Sequence, residues 1–502
     1  MLERPRTGSA LPLARGAGVP TLEEAVASFW RHHSRRRAPL RSSVERLAEL
    51  ALAPDPRVAA EGTRVLFERI VEPLCDGFTQ RGAETYRRLF AQVVDVARRN
   101  VHCAGLDEAL TAAGLRSERD LLRAPSSKPL SAAERERVRV VVVLSRLTLG
   151  ADVAISMPML SHVEAAFPNA EIAFVGNDAS EVIARSFSRV THVKVPYGRS
   201  DFLADRLNAW PALLDAVRTI RSDSAKDEIV LIDPDSRLTQ LGLLRPLEGD
   251  RYFHFPSRQY GVHATDPLGV LISRWLCETF EPVPDRDWCL RISEHEAAWA
   301  RAIRGADTDS RPLVAIHFGV GGNEKKRAGI EFETELVEWL VDRARCRVLL
   351  ARGASPDEVE ETYRLCRRLA ERRVAVAHLP AGCDLDGVDD ANADVLTWEA
   401  SVDAFIATIA HADVFIGYDS AGQHIAAALE VPAISLFVEA SGRRHALRWT
   451  PCGRGLLEVV RSPWPPDRRA LLERTQDAFA SVARVIASPG HRKPTRIELR
   501  DP

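Results

Sequence analysis

This 502-residue chain lacks the cysteine patterns that would make a metal or disulfide framework. Its eight cysteines (Cys75, Cys103, Cys277, Cys289, Cys346, Cys366, Cys383 and Cys452) include no Cys-x-x-Cys pair, and no histidines stand at zinc-finger spacing. They read as reduced thiols of a cytoplasmic protein. No uninterrupted apolar run approaches the roughly 18 residues that cross a bilayer, and the Arg-rich N-terminus has no apolar signal-peptide core. There is also no excess of one charge. Sixty-eight basic and 70 acidic residues give a formal net charge of −2, which excludes a global attraction to nucleic acid or anionic membrane and leaves only local basic patches open. Lysine is scarce beside arginine, so each lysine stands out. What remains, 45% hydrophobic and 27% charged, is the balance of a soluble globular protein of roughly three domains.

Residues 1–20, rich in Pro, Gly and Arg, read as a loose tail. Residues 21–123 show no strand-like alternation, and a helical domain is expected there. Thr21 and Glu24 form a capping box, and apolar residues recur every three or four positions through Leu22–His33, Val44–Ala51, Arg57–Phe78, Ala83–Arg99 and Leu106–Ala113. Residues 124–135 read as a linker. At Val138 the character changes. The β-branched run 138–144 opens an alternation of strands (171–176, 190–196, 228–233) with helices (153–166, 201–220), which implies a parallel sheet covered on both faces. The alternation restarts after the polar stretch 301–311. Strands are expected at 313–318, 347–351, 374–379, 413–417 and 433–437, and helices at 332–344, 357–371, 402–411 and 422–429. A closing helix is expected at 466–490. Two α/β units, 136–300 and 312–465, would face a cleft, with ligands beyond the carboxyl ends of the strands.

Four constellations sit at such strand ends. After the strand 413–417 comes Asp419-Ser420-Ala421-Gly422, opening a helix that carries His424. The unpaired N–H groups and partial positive charge of a helix start suit a phosphate, although an ordinary capped helix has the same composition. After the first strand come Ser145, Arg146, Gly150 and Asp152. By its place in the chain Asp152 fits the N-cap of the helix that follows. After the strand 313–318 comes His317-Phe-Gly319-Val-Gly321-Gly-Asn-Glu-Lys325-Lys326, in which glycines allow close backbone approach and lysines supply charge to a diphosphate; a solvated charged loop is the alternative. After the strand 228–233 come Asp233, Asp235 and Arg237, either contacts to a substrate or a turn satisfied by its own side chains.

The run Asp419-Ser-Ala-Gly-Gln-His424, followed by the small residues Ala426–Ala428, Val431-Pro432 and Phe437, resembles the donor motif of glycosyltransferase family 9, the ADP-heptose:lipopolysaccharide heptosyltransferases. Ala421 stands where that family has Gly. Leu149-Gly150-Ala151-Asp152-Val153, then Pro158 and Phe167-Pro-Asn-Ala-Glu-Ile172, resembles the family's Leu-Gly-Asp-Val strand end, with Ala151 as one extra residue. His317–Lys326 resembles its His-Pro-Gly-Ala segment with a downstream lysine, without the Trp-Pro that follows there. The resemblance covers about 138–461.

The resemblance implies a GT-B architecture, two Rossmann-like domains facing a cleft, with the N-terminal α-helical domain as an addition. It implies inverting, metal-independent transfer of a heptose or related sugar, with no cofactor beyond the nucleotide-diphosphate sugar as co-substrate. In the roles it implies, Asp152 is the base. Gly319, Gly321, Lys325, Lys326, Asp419, Ser420, Ala421, Gly422 and His424 form the donor side, and Ser145, Arg146, Gly150, Asp233, Asp235 and Arg237 the acceptor side. Asp233-Pro-Asp235 has Asp-x-Asp metal spacing but is read as acceptor-side. The expected partners are a nucleotide sugar and a glycan, lipid-linked or protein acceptor, with no nucleic acid. The expected place is the cytoplasm, including peripheral contact with the cytoplasmic face of the inner membrane. A protein O-glycosyltransferase, an inactive nucleotide-sugar-binding scaffold and a nucleotide-sugar epimerase are the other readings.

Overall fold

A computed structural model describes residues 21–488, apart from 39–40, 124–126, 199–200, 222–224, 226, 248, 283–289, 305–310, 354, 380–392 and 399–400, together with Glu498 and Leu499. Residues 1–20, Cys289 and Cys383 therefore lie outside the described residues. The six other cysteines are free thiols, and no described helix is long and apolar enough to cross a membrane. The chain divides into two compact units, residues 1–124 with 197–214, and 125–196 with 215–502.

The first unit contains only helices among its described residues: Leu22–Ser34, Arg41–Ala51, Pro56–Leu66, Glu72–Asp76, Gln80–Ala97, the 3-10 turn Val101–Cys103, Leu106–Ala112, Glu118–Leu122 and the start of Leu203–Ile220. Thr21 and Glu24 form the expected capping box. The stretch expected as one helix over 57–78 is continuous but contains a π turn at Phe67–Val71, just before Pro73, whose missing N–H suits such a break. Gly62 lets two helices touch, since a Cβ there would lie 2.6 Å from the Leu50 carbonyl carbon and the Ala51 nitrogen. The inserted segment 197–214 is stitched in by Leu203 N–H to Thr63 Oγ1 (3.0 Å), Asn208 to the His102 carbonyl (3.0 Å) and the Arg206 guanidinium over the Phe67 ring.

The second unit holds two parallel sheets. The first is built from β1 (Val140–Leu144), β2 (Glu171–Gly176), β3 (Val190–Lys194), β4 (Ile229–Asp233) and β5 (Tyr252–His254), in the order β3-β2-β1-β4-β5. A short β6 (Arg291–Ile292) follows. The second sheet is built from β7 (Leu313–His317), β8 (Arg347–Ala351), β9 (Val376–Leu379), β10 (Val395–Trp398), β11 (Val414–Tyr418), β12 (Ala433–Val438) and β13 (Leu457–Ser462), in the order β13-β12-β11-β7-β8-β10-β9. A terminal β14 (Glu498–Leu499) pairs with β6. Central strands such as β4, β8, β11 and β12 are buried along their whole length, as strands covered on both faces must be.

Several elements differ from expectation. A short helix, Ala132–Arg137, capped by Ser131 and Glu134, starts inside the expected linker. A helix Glu294–Arg304 runs into the polar separator, and β5, β10, β13 and the helix Leu268–Phe280 had no counterpart in the sequence reading. The helix after β1 begins at Leu149 rather than 153, so Asp152 sits inside it, at the first position of a π turn. In each sheet strand order reverses beside the first strand, between β1 and β4 and between β7 and β11. Ligands of open α/β sheets bind at such switch points, and the four constellations follow these four strands.

Candidate active site

The turn after β1 is built around one buried carboxylate. Leu147 adopts φ +67°, which reverses the chain, and its N–H donates to Ser145 Oγ (2.7 Å). Ser145 Oγ in turn donates to Asp152 Oδ2 (2.7 Å), while the Arg146 N–H (2.7 Å) and Ser156 Oγ (2.5 Å) donate to Oδ1. Asp152 therefore reaches back to the loop upstream and does not cap its own helix. Burial raises its pKa, only partly countered by Ser156, Ser145 and the Arg146 N–H.

The turn after β4 is equally closed. Asp233 accepts from the Ser236 N–H (2.7 Å), Thr239 Oγ1 (2.6 Å) and Tyr252 OH (2.6 Å). Asp235, at φ +68°, accepts from Ser257 Oγ (2.6 Å), His254 Nε2 (3.1 Å) and Arg258 Nη1. Burial alone would push the Asp235 carboxyl up, but Arg258, His254 and Arg146 overcome it and hold it well below the usual range. Arg146 donates to the carbonyls of Pro234 (2.6 Å) and Asp235 (3.2 Å); burial and the like charge of Arg258 bring its pKa down to about 10. Arg237 stands half-buried on the same turn. Both carboxylates of the Asp-x-Asp triplet are thus engaged by protein donors.

At the second sheet, β7 ends at His317, whose Nδ1 lies 3.3 Å from Ser420 Oγ. Burial lowers the pKa of His317, partly offset by Glu358. The glycine loop folds over that same glutamate. The Gly321 N–H donates to Glu358 Oε1 (3.0 Å), and a Cβ on Gly319 would fall 2.6 Å from His317 Nε2 and 2.7 Å from Glu358 Oε1. The two lysines then separate. Lys325 is exposed, whereas Lys326 Nζ donates to Asp419 Oδ2 (2.7 Å) and approaches the Asp419 carbonyl (3.4 Å). A buried cluster holds Lys326 there. The next residue, Arg327, forks onto Glu333 (3.0 and 2.6 Å), Glu333 also accepts from Tyr418 OH (3.1 Å), and Tyr418 OH accepts from the Ala328 N–H (3.0 Å). Burial raises the pKa of Glu333 and of Tyr418.

Asp419 also accepts from Gln423 Nε2 (3.0 Å) and His445 Nε2 (3.2 Å). Burial works against its charge, but Lys326 and His445 keep it well below the ordinary aspartate range. The helix Ala421–Ala428 starts with no side-chain cap, because Ser420 Oγ faces His317 instead. Its first N–H groups therefore receive no acceptor from the cap residue's side chain. His424, buried in its first turns, has its pKa lowered by burial to about 4, and its Nδ1 has no partner among the described residues. The two sheet edges meet here. A Cβ on Gly150 would lie 2.9 Å from Ala421 Cα, 3.2 Å from Ala421 N and 3.4 Å from His424 Cδ2. Trp449 joins them, with the Arg146 guanidinium 5.9 Å from its ring centre and the His424 ring 6.1 Å away.

The structure thus brings Gly150, Asp419, Ser420, Ala421, Gly422, His424, Lys326 and the Gly319–Gly321 loop to one place. Ser145, Arg146 and Asp152 form the adjoining turn, and Asp233 and Asp235 are the braces of the next turn. Sequence reasoning missed Glu333, His445, Arg258 and Trp449. One signal pointed to Glu333: a carboxylate beside Phe332 on a helix whose other core positions are Leu336, Val337 and Leu340.

The class defined by this fold and by the family match is a glycosyltransferase. More particularly, residues 257–456 match the family model of glycosyltransferase family 9 (heptosyltransferase). No curated protein matches the chain. Among solved structures, a family 9 glycosyltransferase from Veillonella parvula is similar at 15% identity over 71% of this chain and 99% of its own, with a TM-score of 0.50. The ADP-heptose lipopolysaccharide heptosyltransferase II of E. coli follows at 15% identity, 68% and 99% coverage and a TM-score of 0.47. E. coli heptosyltransferase WaaC with ADP has 16% identity, the same coverage and a TM-score of 0.43.

Proposed function

We propose that the protein transfers a heptose or related sugar from a nucleoside-diphosphate donor to a hydroxyl of a glycan or lipopolysaccharide-type acceptor, by a single inverting displacement without a metal ion. The two sheets act as the halves of a GT-B enzyme, acceptor on the first and donor on the second. The contact of Gly150 with Ala421 carries this reading, because it sets the turn that holds Asp152 against an uncapped helix start beside Lys326.

Asp152 takes the proton of the acceptor hydroxyl. Oδ2 has a single donor, Ser145, among the described residues, which leaves lone-pair capacity for the incoming O–H. The pKa raised by burial makes it a stronger proton acceptor than an exposed aspartate. The acceptor oxygen bonds to the anomeric carbon as the bond from that carbon to the diphosphate breaks. The charge that develops on the diphosphate meets the N–H groups at Ala421 and Gly422 and the Lys326 ammonium, which Asp419 holds in place while one of its three donors stays available.

Asp152→Ala tests the assignment. Release of nucleoside diphosphate from ADP-, GDP- or UDP-sugars in the presence of acceptor should fall by about 10²–10⁴, while calorimetric donor affinity stays at the parent's value. Parent-like turnover in this variant removes Asp152 from the mechanism. A parent protein that binds none of these donors overturns transfer itself.

A further inference from the structure

The helical unit carries a basic cavity that sugar transfer does not use. It encloses about 460 Å³ beside the end of the helix Leu22–Ser34 and the first half of the helix Gln80–Ala97. Four arginines line it, Arg36, Arg37, Arg81 and Arg88, against one carboxylate, Glu84, which already accepts from Gln80. Among the described residues none of the four is in an ion pair. Elsewhere in the same unit Arg41, Arg64, Arg69 and Arg98 all are.

Two of these placements are unfavourable in the fold by itself. Arg36 takes φ +57° just past a helix end, a position where glycine is the unstrained residue. Arg81 is the second residue of its helix, where the macrodipole repels a cation, and its Nη2 is buried with no acceptor among the described residues. The dipole does explain the basic run Arg31-His32-His33, which ends its own helix, but it makes Arg81 worse. The positive field is felt locally: burial, then the charge of Arg81, lowers the pKa of His33, whose Nδ1 lies 3.2 Å from Thr85 Oγ1.

We propose that this cavity is a binding site for a phosphoryl group, a phosphate monoester or diphosphate, carried by a soluble small molecule or by a lipid headgroup. Guanidinium forks match phosphate oxygens in pairs, and a converging set of them suits a polyanion better than a single carboxylate. The volume falls in the range of about 300–1,000 Å³ typical of small-ligand sites.

The full chain carrying Lys326→Ala, which weakens the sugar-donor site by about 10- to 100-fold, separates this site from catalysis. By calorimetry it should still bind inorganic pyrophosphate at one site. Adding Arg81→Gln and Arg88→Gln should weaken that binding about 100-fold, tenfold for each arginine. Arg37→Gln with Arg88→Gln, both exposed side chains, serves if the change at Arg81 unfolds the unit. Flotation with phosphatidic acid vesicles, against phosphatidylcholine vesicles, identifies the source. Vesicle binding lost in the arginine variants, without pyrophosphate binding, assigns a lipid headgroup. Folded arginine variants with parent affinity for both probes overturn the proposal, as does a Lys326→Ala protein that binds neither.

Discussion

At the edge of the first sheet every carboxylate is answered by the protein itself. Asp233 has two hydroxyls and an N–H, Asp235 has two arginines and a histidine around it, and Asp152 has two serines and an N–H. At the edge of the second sheet Asp419, Glu358 and Glu333 are engaged as well, but the helix Ala421–Ala428 begins without a side-chain cap beside Lys326. One edge is a closed acidic scaffold that fixes the base. The other keeps donors unspent for an anion. Asp235 and Asp419 mark the contrast: both are buried and both ionised well below the usual range, one by partners that only brace, the other by the lysine proposed to meet the substrate.

The largest effect that sharpens this comparison is on stability. Asp235→Ala leaves Arg146 and Arg258 buried without their counter-charge, and breaking such a pair costs about 3–5 kcal/mol. Urea unfolding of the variant should show that loss, with a lowered midpoint. A folded Asp235→Ala protein of parent stability and altered acceptor KM would instead put this carboxylate on the substrate.

The second prediction separates the two lysines. Lys326→Ala should weaken donor binding by about 10- to 100-fold, the scale of one charge-assisted hydrogen bond of roughly 1.5–3 kcal/mol. Lys325→Ala, exposed and away from Asp419, should leave the donor Kd unchanged. Equal losses in titration calorimetry would mean that the loop acts as a diffuse positive patch.

That choice could not be made from sequence, because adjacent residues on a loop carry the same charge and the brace that selects one of them, Arg327 to Glu333 to Tyr418, spans distant elements. The strand ends and helix starts were legible because each constellation follows a β-branched run, and β7 and β11 turn out to be neighbours. The short β5 and β10 carry too little pattern to be found alone, and β13 is only partly buried, so its residues do not alternate cleanly. His445 reaches Asp419 from a helix 26 positions on, with no motif to announce it. For Asp152 the family resemblance implied a base and its place before a helix an N-cap; the backward bond to the Arg146 N–H shows that it is no cap.

The smallest expected effect tests how that carboxylate is tuned. Ser156 contributes the largest of the interactions that hold the Asp152 pKa down against burial. Ser156→Ala should therefore raise the pKa further. A base works ionised, so activity is lost as pH falls through its pKa, and the acid limb of kcat/KM should move to higher pH than in the parent. Stability follows the same sign. A carboxyl whose folded pKa lies above its unfolded value of about 3.9 stabilises the fold fully only below that value, and the contribution is lost as pH rises through the folded pKa. The variant should then lose more stability at pH 7 than at pH 3.5, measured by urea unfolding at both. An acid limb that stays in place, with equal stability losses at the two pH values, would show that Ser156 merely fills space beside Asp152.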